Sequence, residues 1–336
     1  MKHINQMSKA DRARYLGNPD QMYSVRRVSI EDGRAKNTTE YEVTTGGGLS
    51  YTVLADNGLD IGTLSYRGIN MSYLTKNGGT SPYLAETYED GFVRYFPGGM
   101  VYTCGLLSAG SAHRDGKVWH PSHGRYHNQP ASQLCGEVKE DQLLVRGKIR
   151  ETQLFGHSLE VERTVSSSVG GKELVITDLI TNLTPNPEEF MLLYHCNFGY
   201  PFLNEHLKLF MPDGTVSKGR TPLADERIAT MREFSAPIDN DDETVYFHEI
   251  PEKDGYKTVI AENAELGIGM VMRYSAKTLP ILAEWKCMRS GEYVLGLEPT
   301  NTYIKGRAGE RENGTIKTIG SFETVKTEIR IEFYDL

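Results

Sequence analysis

The sequence predicts an all-β fold, a large β-sandwich with few short helices, and three patterns support this prediction. Apolar and polar residues alternate over short stretches, most clearly from residue 323 to 334, as in strands with one buried face. Asn-Gly and Asp-Gly pairs, which tolerate the positive φ angles of tight β-turns, recur between these stretches. Helical periodicity is limited to two short runs. Together these patterns favour two large packed sheets.

The predicted elements follow the chain in order. A capping-box-like spacing at Ser8 opens a short helix that ends near Leu16. Residues 173–181 and 190–197 are more continuously apolar, which favours strands buried on both faces. A second, weaker helix is expected at residues 224–234. Strands with alternating burial are expected at residues 49–54, 142–149, 158–165, 244–248 and 323–334.

A single domain spanning residues 1–336 is the simplest organisation, with residues 1–38 as an N-terminal extension packed on it. The chain holds no internal repeat, low-complexity tract or linker rich in Pro, Gly and Ser. Residues 85–134 follow neither period and are rich in Gly, His, Tyr and Asn. Long irregular segments of compact proteins are commonly functional, so a site is expected there.

The composition argues against several classes of function. A net charge of −8 argues against nucleic acid or an anionic membrane as the main partner. No run of about 18 apolar residues is present, and the chain starts with polar residues, so we expect a cytoplasmic protein. The four cysteines lack metal-site spacing and are expected to be reduced thiols. The sequence contains no nucleophile-elbow, Walker or dinucleotide-binding motif.

The first candidate site segment is residues 120–128, which holds three histidines, an arginine and an amide. Its donors and acceptors suit sugar hydroxyls. Metal binding is a weaker alternative, because no Asp, Glu or Cys nearby completes a ligand set. For any single histidine of this segment, a place in a solvated loop is the other alternative.

Two further candidates lie at the ends of apolar strands. His195 and Asn197 share one strand face, where His195 is either an ordinary buried histidine or a general acid. A carboxylate at the end of a buried strand needs partners or a chemical use. For Glu298 the alternatives are therefore proton transfer and a strand-end ion pair with Arg307 or Lys286.

Two more residues have competing roles. Trp285, one of two tryptophans, is either an apolar wall for a sugar ring or an ordinary core residue. Asp60 follows an Asn-Gly pair and either forms the turn or binds a ligand, and turn formation is favoured.

These segments, in this order on an all-β chain, resemble the galactose mutarotase-like superfamily, which includes the aldose 1-epimerases. Leu297-Glu298-Pro299 looks like the family's Glu-Pro strand that carries the catalytic base. His195, within Tyr-His-Cys-Asn-Phe-Gly, looks like its catalytic acid. His123-Gly124 looks like its His-Gly pair, whose histidine contacts the sugar.

The chain is more closely similar to an uncharacterised bacterial branch of this superfamily. The similar segments are Gly58-Leu59-Asp60-Ile61-Gly62, Gly98-Gly99, Thr103-Cys104-Gly105-Leu106 and His123-Gly124-Arg125. Each motif is short, so the specificity lies in their order and spacing. The likeness runs from roughly residue 40 to the end of the chain.

The resemblance implies an aldose 1-epimerase-like enzyme that interconverts sugar anomers by general acid/base ring opening and closure. Glu298 would act as the base and His195 as the acid. The residues implied to bind the substrate are His123, Arg125, His127, Asn128, Asn197, Trp285, Asp60 and Arg94. No cofactor and no metal are implied.

The expected partner is a small-molecule sugar, either a free aldose or an acidic or phosphorylated derivative. Neither nucleic acid nor membrane is expected as a partner. A homodimer is compatible with the N-terminal extension, which could serve as a contact between two copies.

Two features of the family lack a counterpart in this chain. The Asn-Arg pair that precedes the His-Gly motif has no clear match, and Arg94 or Arg125 would have to substitute for it. The acidic sugar-binding residue is unassigned, with Asp225 and Asp241 as candidates. Two alternatives therefore stay open: a non-catalytic carbohydrate-binding or sensor protein, and another sugar epimerase or isomerase on the same scaffold.

Overall fold

Antiparallel β-sheets dominate the protein, and the computed structural model describes residues 4–89 and 91–336. The strands of these residues are β1 (Ser24–Ser29), β2 (Thr39–Thr44), β3 (Leu49–Leu54), β4 (Asp60–Tyr66), β5 (Ile69–Asn70), β6 (Val101–Cys104), β7 (His113–Asp115), β8 (Val118–His120), β9 (Ser132–Lys139), β10 (Gln142–Thr152), β11 (Ser158–Ser168), β12 (Glu173–Asn182), β13 (Glu188–Phe190), β14 (Leu193–Phe198), β15 (Leu207–Phe210), β16 (Val216–Gly219), β17 (Thr244–Glu249), β18 (Tyr256–Asn263), β19 (Ile268–Ser275), β20 (Ile281–Arg289), β21 (Glu292–Thr300), β22 (Lys317–Ile319) and β23 (Thr324–Asp335). Their helices are α1 (Lys9–Tyr15), α2 (Phe92–Tyr95), α3 (Pro222–Glu226) and α4 (Gly306–Glu312), with single 3₁₀ turns at Ile4–Gln6, Pro19–Gln21, Pro82–Leu84, Tyr126–Asn128 and Ile228–Thr230.

Two large sheets pack against each other across one hydrophobic core. The first has 11 strands, in the order β1-β2-β3-β4-β6-β14-β21-β20-β17-β16 with β5 paired to β4. The second has 8 strands, in the order β15-β18-β19-β23-β12-β11-β10-β9. Tyr194 and Leu297 of the first sheet belong to the same buried cluster as Ile176 and Phe333 of the second. The predicted all-β sandwich is confirmed.

The burial of individual strands follows their place in the sandwich. β3 alternates strictly between buried and half-buried residues, as its sequence pattern predicts. All six residues of β14 are buried, in agreement with the prediction for residues 190–197. The same prediction for residues 173–181 is wrong, because β12 alternates and Leu179 is 37% exposed. Only one face of β12 packs on the core.

The helix predictions are partly confirmed. Ser8 caps α1 by accepting a hydrogen bond from the Asp11 N–H at 3.0 Å. The second predicted helix is shorter, since α3 ends at Glu226 and only a 3₁₀ turn follows it. The four-residue α2 and the glycine-containing α4 lie below the length at which periodicity is informative.

The N-terminal extension is partly a strand of the first sheet. Its β1 pairs with β2 along six residues, and Arg12 forms an ion pair with Asp141 at 2.7 Å. The extension therefore contributes an edge strand as well as packing on the sandwich; its first three residues lie outside the described ones. No helix in the described ranges has the length and apolar character needed to cross a membrane.

The centre of the first sheet brings distant segments together. β6, β14, β21 and β20 are neighbours, although more than 190 positions separate Val101 from Thr300 (300 − 101 = 199). The pairing of Cys196 with Leu297 sets β14 against β21 so that His195 and Glu298 fall on adjacent strands. The pairing of Gly296 with Trp285 adds β20 beside them. Their side chains project from the sheet face opposite the core of the sandwich.

Candidate active site

A cavity of about 920 Å³ opens over this face of the first sheet. His195, Glu298 and Trp285 line it from the strands, and His123 lines it from the histidine-rich segment. Its volume is near the upper end of the roughly 300–1,000 Å³ typical of small-molecule pockets. Four of the residues predicted from the sequence therefore meet in one cavity.

His195 and Glu298 form a close pair in this cavity. The His195 Nε2 atom lies 3.2 Å from the Glu298 Oε1 atom, and both side chains are buried. Gly296 makes room for the carboxyl group, because a Cβ at this position would lie 2.4 Å from Glu298 Oε1. The sequence alternative of an ion pair with Arg307 or Lys286 is wrong. Arg307 binds Asp115, Glu188 and Glu189 instead, and Lys286 donates to the backbone oxygens of Thr230 and Glu233.

Asn197 determines which nitrogen of His195 carries a proton. Its amide nitrogen donates to the backbone oxygens of Gly99 and His195, both at 3.0 Å, so its Oδ1 atom must be the one that faces His195. That oxygen lies 2.5 Å from His195 Nδ1 and can only accept, so Nδ1 carries the hydrogen. In the neutral imidazole, Nε2 is then the unprotonated nitrogen, and it is the one that lies 3.2 Å from Glu298 Oε1.

Burial sets the charge of the pair. The pKa of Glu298 is raised well above its usual range by burial and then by the negative charge of Glu243, while Arg220 opposes this shift. The pKa of His195 is lowered to about 3 by burial and then by His123, while the bond to Asn197 opposes this shift. Burial therefore favours the neutral form of each side chain: the His195 ring is uncharged at pH 7, and the Glu298 carboxyl group holds its proton more strongly than an exposed carboxyl group does.

The walls of the cavity combine rings with polar groups. The Trp285 ring packs edge-on against His195, with 5.2 Å between ring centroids, and its Nε1 donates to Glu243 at 2.7 Å. His123 packs against Phe92 at 4.8 Å and against His195 at 5.4 Å. Burial, followed by the charge of Arg220, lowers the pKa of His123 to about 4, so this ring is neutral at pH 7.

Asp60 and His127 do not line this cavity. Asp60 is fully buried and accepts hydrogen bonds from Thr103 N at 2.7 Å, His127 Nδ1 at 2.6 Å and Arg163 Nη1 at 2.6 Å. Arg163 also forms an ion pair with Asp178 of the second sheet at 2.7 Å. The turn at Tyr126–Asn128 directs His127 inward, so both residues belong to a polar network that links the sheets.

The other predicted sugar-binding residues also lie outside the lining. Arg125 donates to the backbone oxygen of Trp119 at 3.0 Å, and Asn128 donates to the Tyr95 hydroxyl at 3.4 Å. Arg94 forms an ion pair with Glu86 at 2.9 Å. Asn197 acts behind His195 through the hydrogen bond described above.

The cavity contains charged residues that the sequence patterns did not single out. Glu243 and Arg220 line it, as do the ion-paired couples Lys76–Glu292 and Arg289–Asp242. The two acidic candidates proposed from the sequence have other partners. Asp225 accepts from the Gly219 N–H at 2.9 Å and Asp241 pairs with Arg227 at 3.1 Å. Glu243 belongs to the acidic run that precedes β17, and this run was the sequence feature that could have identified it.

The histidines of residues 120–128 point in different directions. His120 stacks on His113 at 5.2 Å, His123 lines the cavity and His127 binds Asp60. Across residues 4–89 and 91–336 no group of three or more His, Cys, Asp or Glu side chains is arranged to hold a metal ion.

Replacement of Asn197 by Leu tests the orientation of His195. Without the Asn197 acceptor, Nδ1 loses its partner and both neutral tautomers become populated. We expect the imidazole ¹⁵N shifts to move towards averaged values and any proton-transfer activity to fall about 10-fold. Asn128→Leu, which removes an amide with no contact to His195, is the control. Unchanged ¹⁵N shifts in Asn197→Leu would contradict this role.

The comparisons with known proteins agree with the fold and the sequence resemblance. Among solved structures, a candidate aldose 1-epimerase from Klebsiella pneumoniae subsp. pneumoniae is similar with a TM-score of 0.87 and 19% identity, over 95% of this chain and 87% of that one. A galactose mutarotase-like protein from Clostridium acetobutylicum has a TM-score of 0.65 and 14% identity, over 94% and 100%. The galactose 1-epimerase from Lactobacillus acidophilus has a TM-score of 0.61 and 14% identity, over 93% and 99%.

These identities establish the fold alone, and the predicted galactose mutarotase-like fold is confirmed. No curated protein matches the sequence. The family described as a domain of unknown function, DUF4432, matches residues 36–333, which is most of the chain. The protein therefore belongs to the DUF4432 family.

Proposed function

We propose that this protein interconverts the anomers of an aldose by general acid/base catalysis. The observation that supports this most directly is the buried pair of Glu298 and His195, whose side chains lie 3.2 Å apart in the cavity. Anomer exchange requires one group that accepts a proton and one that donates a proton at neighbouring oxygens of the sugar. A pair with a single mobile proton meets both requirements and is restored at the end of each cycle.

The reaction proceeds through the open-chain sugar. The base removes the proton of the C1 hydroxyl while the acid protonates the ring oxygen, and the bond between C1 and the ring oxygen breaks. The product is an aldehyde at C1 and a hydroxyl at the former ring oxygen. After rotation about the C1–C2 bond, the same hydroxyl attacks the other face of C1, and both protons return.

Glu298 takes the role of base and His195 that of acid in this proposal. When the Glu298 carboxyl group is protonated, its proton must pass to His195 Nε2 before ring opening. Nε2 lies 3.2 Å from the carboxyl oxygen, so this transfer needs no intermediate group. Hydroxyl groups of a bound sugar that donate hydrogen bonds to the carboxylate then stabilise its charged form.

The remaining groups of the cavity suit the binding of a sugar. The half-buried Trp285 ring offers an apolar wall, and its hydrogen bond to Glu243 holds that carboxylate at the edge of the ring. Glu243 accepts hydrogen bonds from sugar hydroxyls, and His123 presents a neutral ring with both donor and acceptor capacity. Such contacts orient the open-chain sugar, so ring closure is favoured over its dissociation from the cavity.

Exchange spectroscopy by NMR tests the proposed function on a panel of aldoses, uronic acids and aldose phosphates. We expect faster anomer exchange for at least one sugar, a loss of about 10²–10⁴-fold in His195→Asn, and no effect of a chelator. His206→Asn, which changes an exposed histidine that does not line the cavity, is the control. Sugar binding without faster exchange would favour the carbohydrate sensor. Loss of activity with chelator would favour a metal-assisted isomerase.

A further inference from the structure

Arg220 differs from the other cationic residues of the cavity in its interaction partners. The lining contains three cationic side chains, Lys76, Arg220 and Arg289. Lys76 is paired with Glu292, and Arg289 is paired with Asp242 at 3.4 Å. Within the described ranges, Arg220 has no carboxylate within ion-pair distance, and its side-chain hydrogen bond goes to the Ser111 hydroxyl at 3.1 Å.

The position of Arg220 is fixed by its backbone. The residue follows β16, and its N–H donates to the Val245 oxygen of β17 at 2.8 Å. Ser111, its side-chain partner, also lines the cavity, as do the neighbouring Ser122 and Thr221. The Arg220 side chain is exposed and donates to the Ser111 hydroxyl, and a guanidinium has further donors in the fork geometry that suits carboxylate and phosphate oxygens.

Arg220 is also within electrostatic reach of the proton-transfer residues. Its positive charge lowers the pKa of His123 and opposes the upward pKa shift of Glu298. The acidic groups of the lining do not cancel it locally. Asp242 and Glu292 have their own cationic partners, and Glu243 accepts a hydrogen bond from Trp285.

We propose that the substrate is an aldose that carries an oxyanion group, a carboxylate or a phosphate, and that Arg220 with the Ser111 hydroxyl binds this group. This proposal rests on the proposed anomer exchange at Glu298 and His195. Glu243 and Arg220 then divide the recognition: the carboxylate accepts hydrogen bonds from ring hydroxyls, and the guanidinium donates to the anion. The cavity volume of about 920 Å³ leaves room for such a substituent beyond a single sugar ring.

Binding and exchange are measured with three matched probes, D-glucose, D-glucuronate and D-glucose 6-phosphate, and with the corresponding galactose and mannose series. Calorimetry gives the dissociation constants, and NMR gives the exchange rates. We expect one class of acidic sugar to bind at least about 10-fold more tightly than its neutral parent, which is the scale of one charge-assisted contact. The uronate and phosphate arms identify which oxyanion is preferred.

The variants Arg220→Gln and Arg289→Gln separate the two cavity arginines. We expect Arg220→Gln to weaken the binding of the acidic probes about 10-fold, with little change in the binding of neutral sugars. The Arg289 guanidinium is already paired, so we expect Arg289→Gln to retain the preference for acidic sugars. A wild type that binds neutral sugars as tightly as acidic ones, or binds no acidic probe, would overturn the proposal. So would Arg220→Gln with an unchanged preference.

The two proposals fail in different ways. Exchange of neutral sugars alone would leave anomer exchange standing and remove the role of Arg220 as an anion site. Preferential binding of an acidic sugar that depends on Arg220, with no faster exchange, would retain the anion site and remove the proposed reaction.

Discussion

Replacement of Glu298 by Gln is expected to reduce anomer exchange by about 10²–10⁴-fold, because Gln cannot carry the mobile proton of the pair. The amide has nearly the same shape as the carboxyl group, so the cavity and the contact with His195 are retained. NMR exchange spectroscopy measures the rate, and calorimetry measures sugar binding, which we expect to change less than about 10-fold. Only the proton transfer is removed.

Glu292→Gln is the matched control for this variant. Glu292 also lines the cavity, but it is paired with Lys76 and is not near His195 in the sheet. We expect it to keep most of the activity. An active Glu298→Gln enzyme would show that proton transfer in this cavity does not depend on the carboxyl group of residue 298.

The Glu298→Gln substitution also has a predictable effect on stability. Burial raises the pKa of Glu298 in the folded protein above the ordinary value of 4.5. The stabilisation from its neutral form is therefore complete below pH 4.5 and is lost as the pH rises through the folded-state pKa. Glu298→Gln cannot ionise, so at pH 8 we expect its melting temperature to exceed that of the wild type by about 2–4 °C. The difference should vanish near pH 4, which calorimetry can check.

Acid conditions change stability through two buried histidines, and we expect this effect to be the same in the wild type and in Glu298→Gln. Burial lowers the pKa of His195 to about 3 and that of His123 to about 4, from an ordinary value of 6.5. The stability that comes from their neutral forms is present above pH 6.5 and is lost as the pH falls towards these values. A difference between the two proteins that grows with acidity would contradict the assigned proton positions.

Replacement of Arg163 by Met is expected to cost about 3–5 kcal/mol of unfolding free energy. Arg163 is fully buried and forms ion pairs with Asp60 at 2.6 Å and Asp178 at 2.7 Å. It also lies over the rings of Tyr126 and Tyr194, at 5.0 and 5.6 Å from their centroids. Its removal leaves two carboxylates buried without a cation. Urea unfolding followed by circular dichroism measures the loss.

Arg273→Met provides the control for this prediction. Arg273 forms an ion pair with Glu332 at 2.9 Å, and both side chains are about 40% exposed. We expect this change to cost about 0–1 kcal/mol. If Arg163→Met does not fold, Asp178→Asn, which removes one charge of the network, should still show a loss above 1 kcal/mol. Losses no larger than that of Arg273→Met would contradict a structural role for the network.

The local pattern of the chain determined the class of the fold. Alternation along β3 and β23 and the turn pairs between strands indicate sheets directly, because side chains of a strand point alternately to its two faces. The continuously apolar β14 identified a strand covered on both faces, where His195 resides. These signals arise between residues that are close in the chain, so a single sequence contains them.

Only the tertiary structure decided which polar residues meet. Asp60 and His127 are 67 positions apart and bind each other between the sheets. Glu243 and Arg220 enter the cavity because β16 and β17 pair at the edge of the first sheet. Glu298 meets His195 through the order of β14 and β21, across 103 positions (298 − 195). Such contacts depend on strand order and register, which long-range packing sets and local periodicity does not encode.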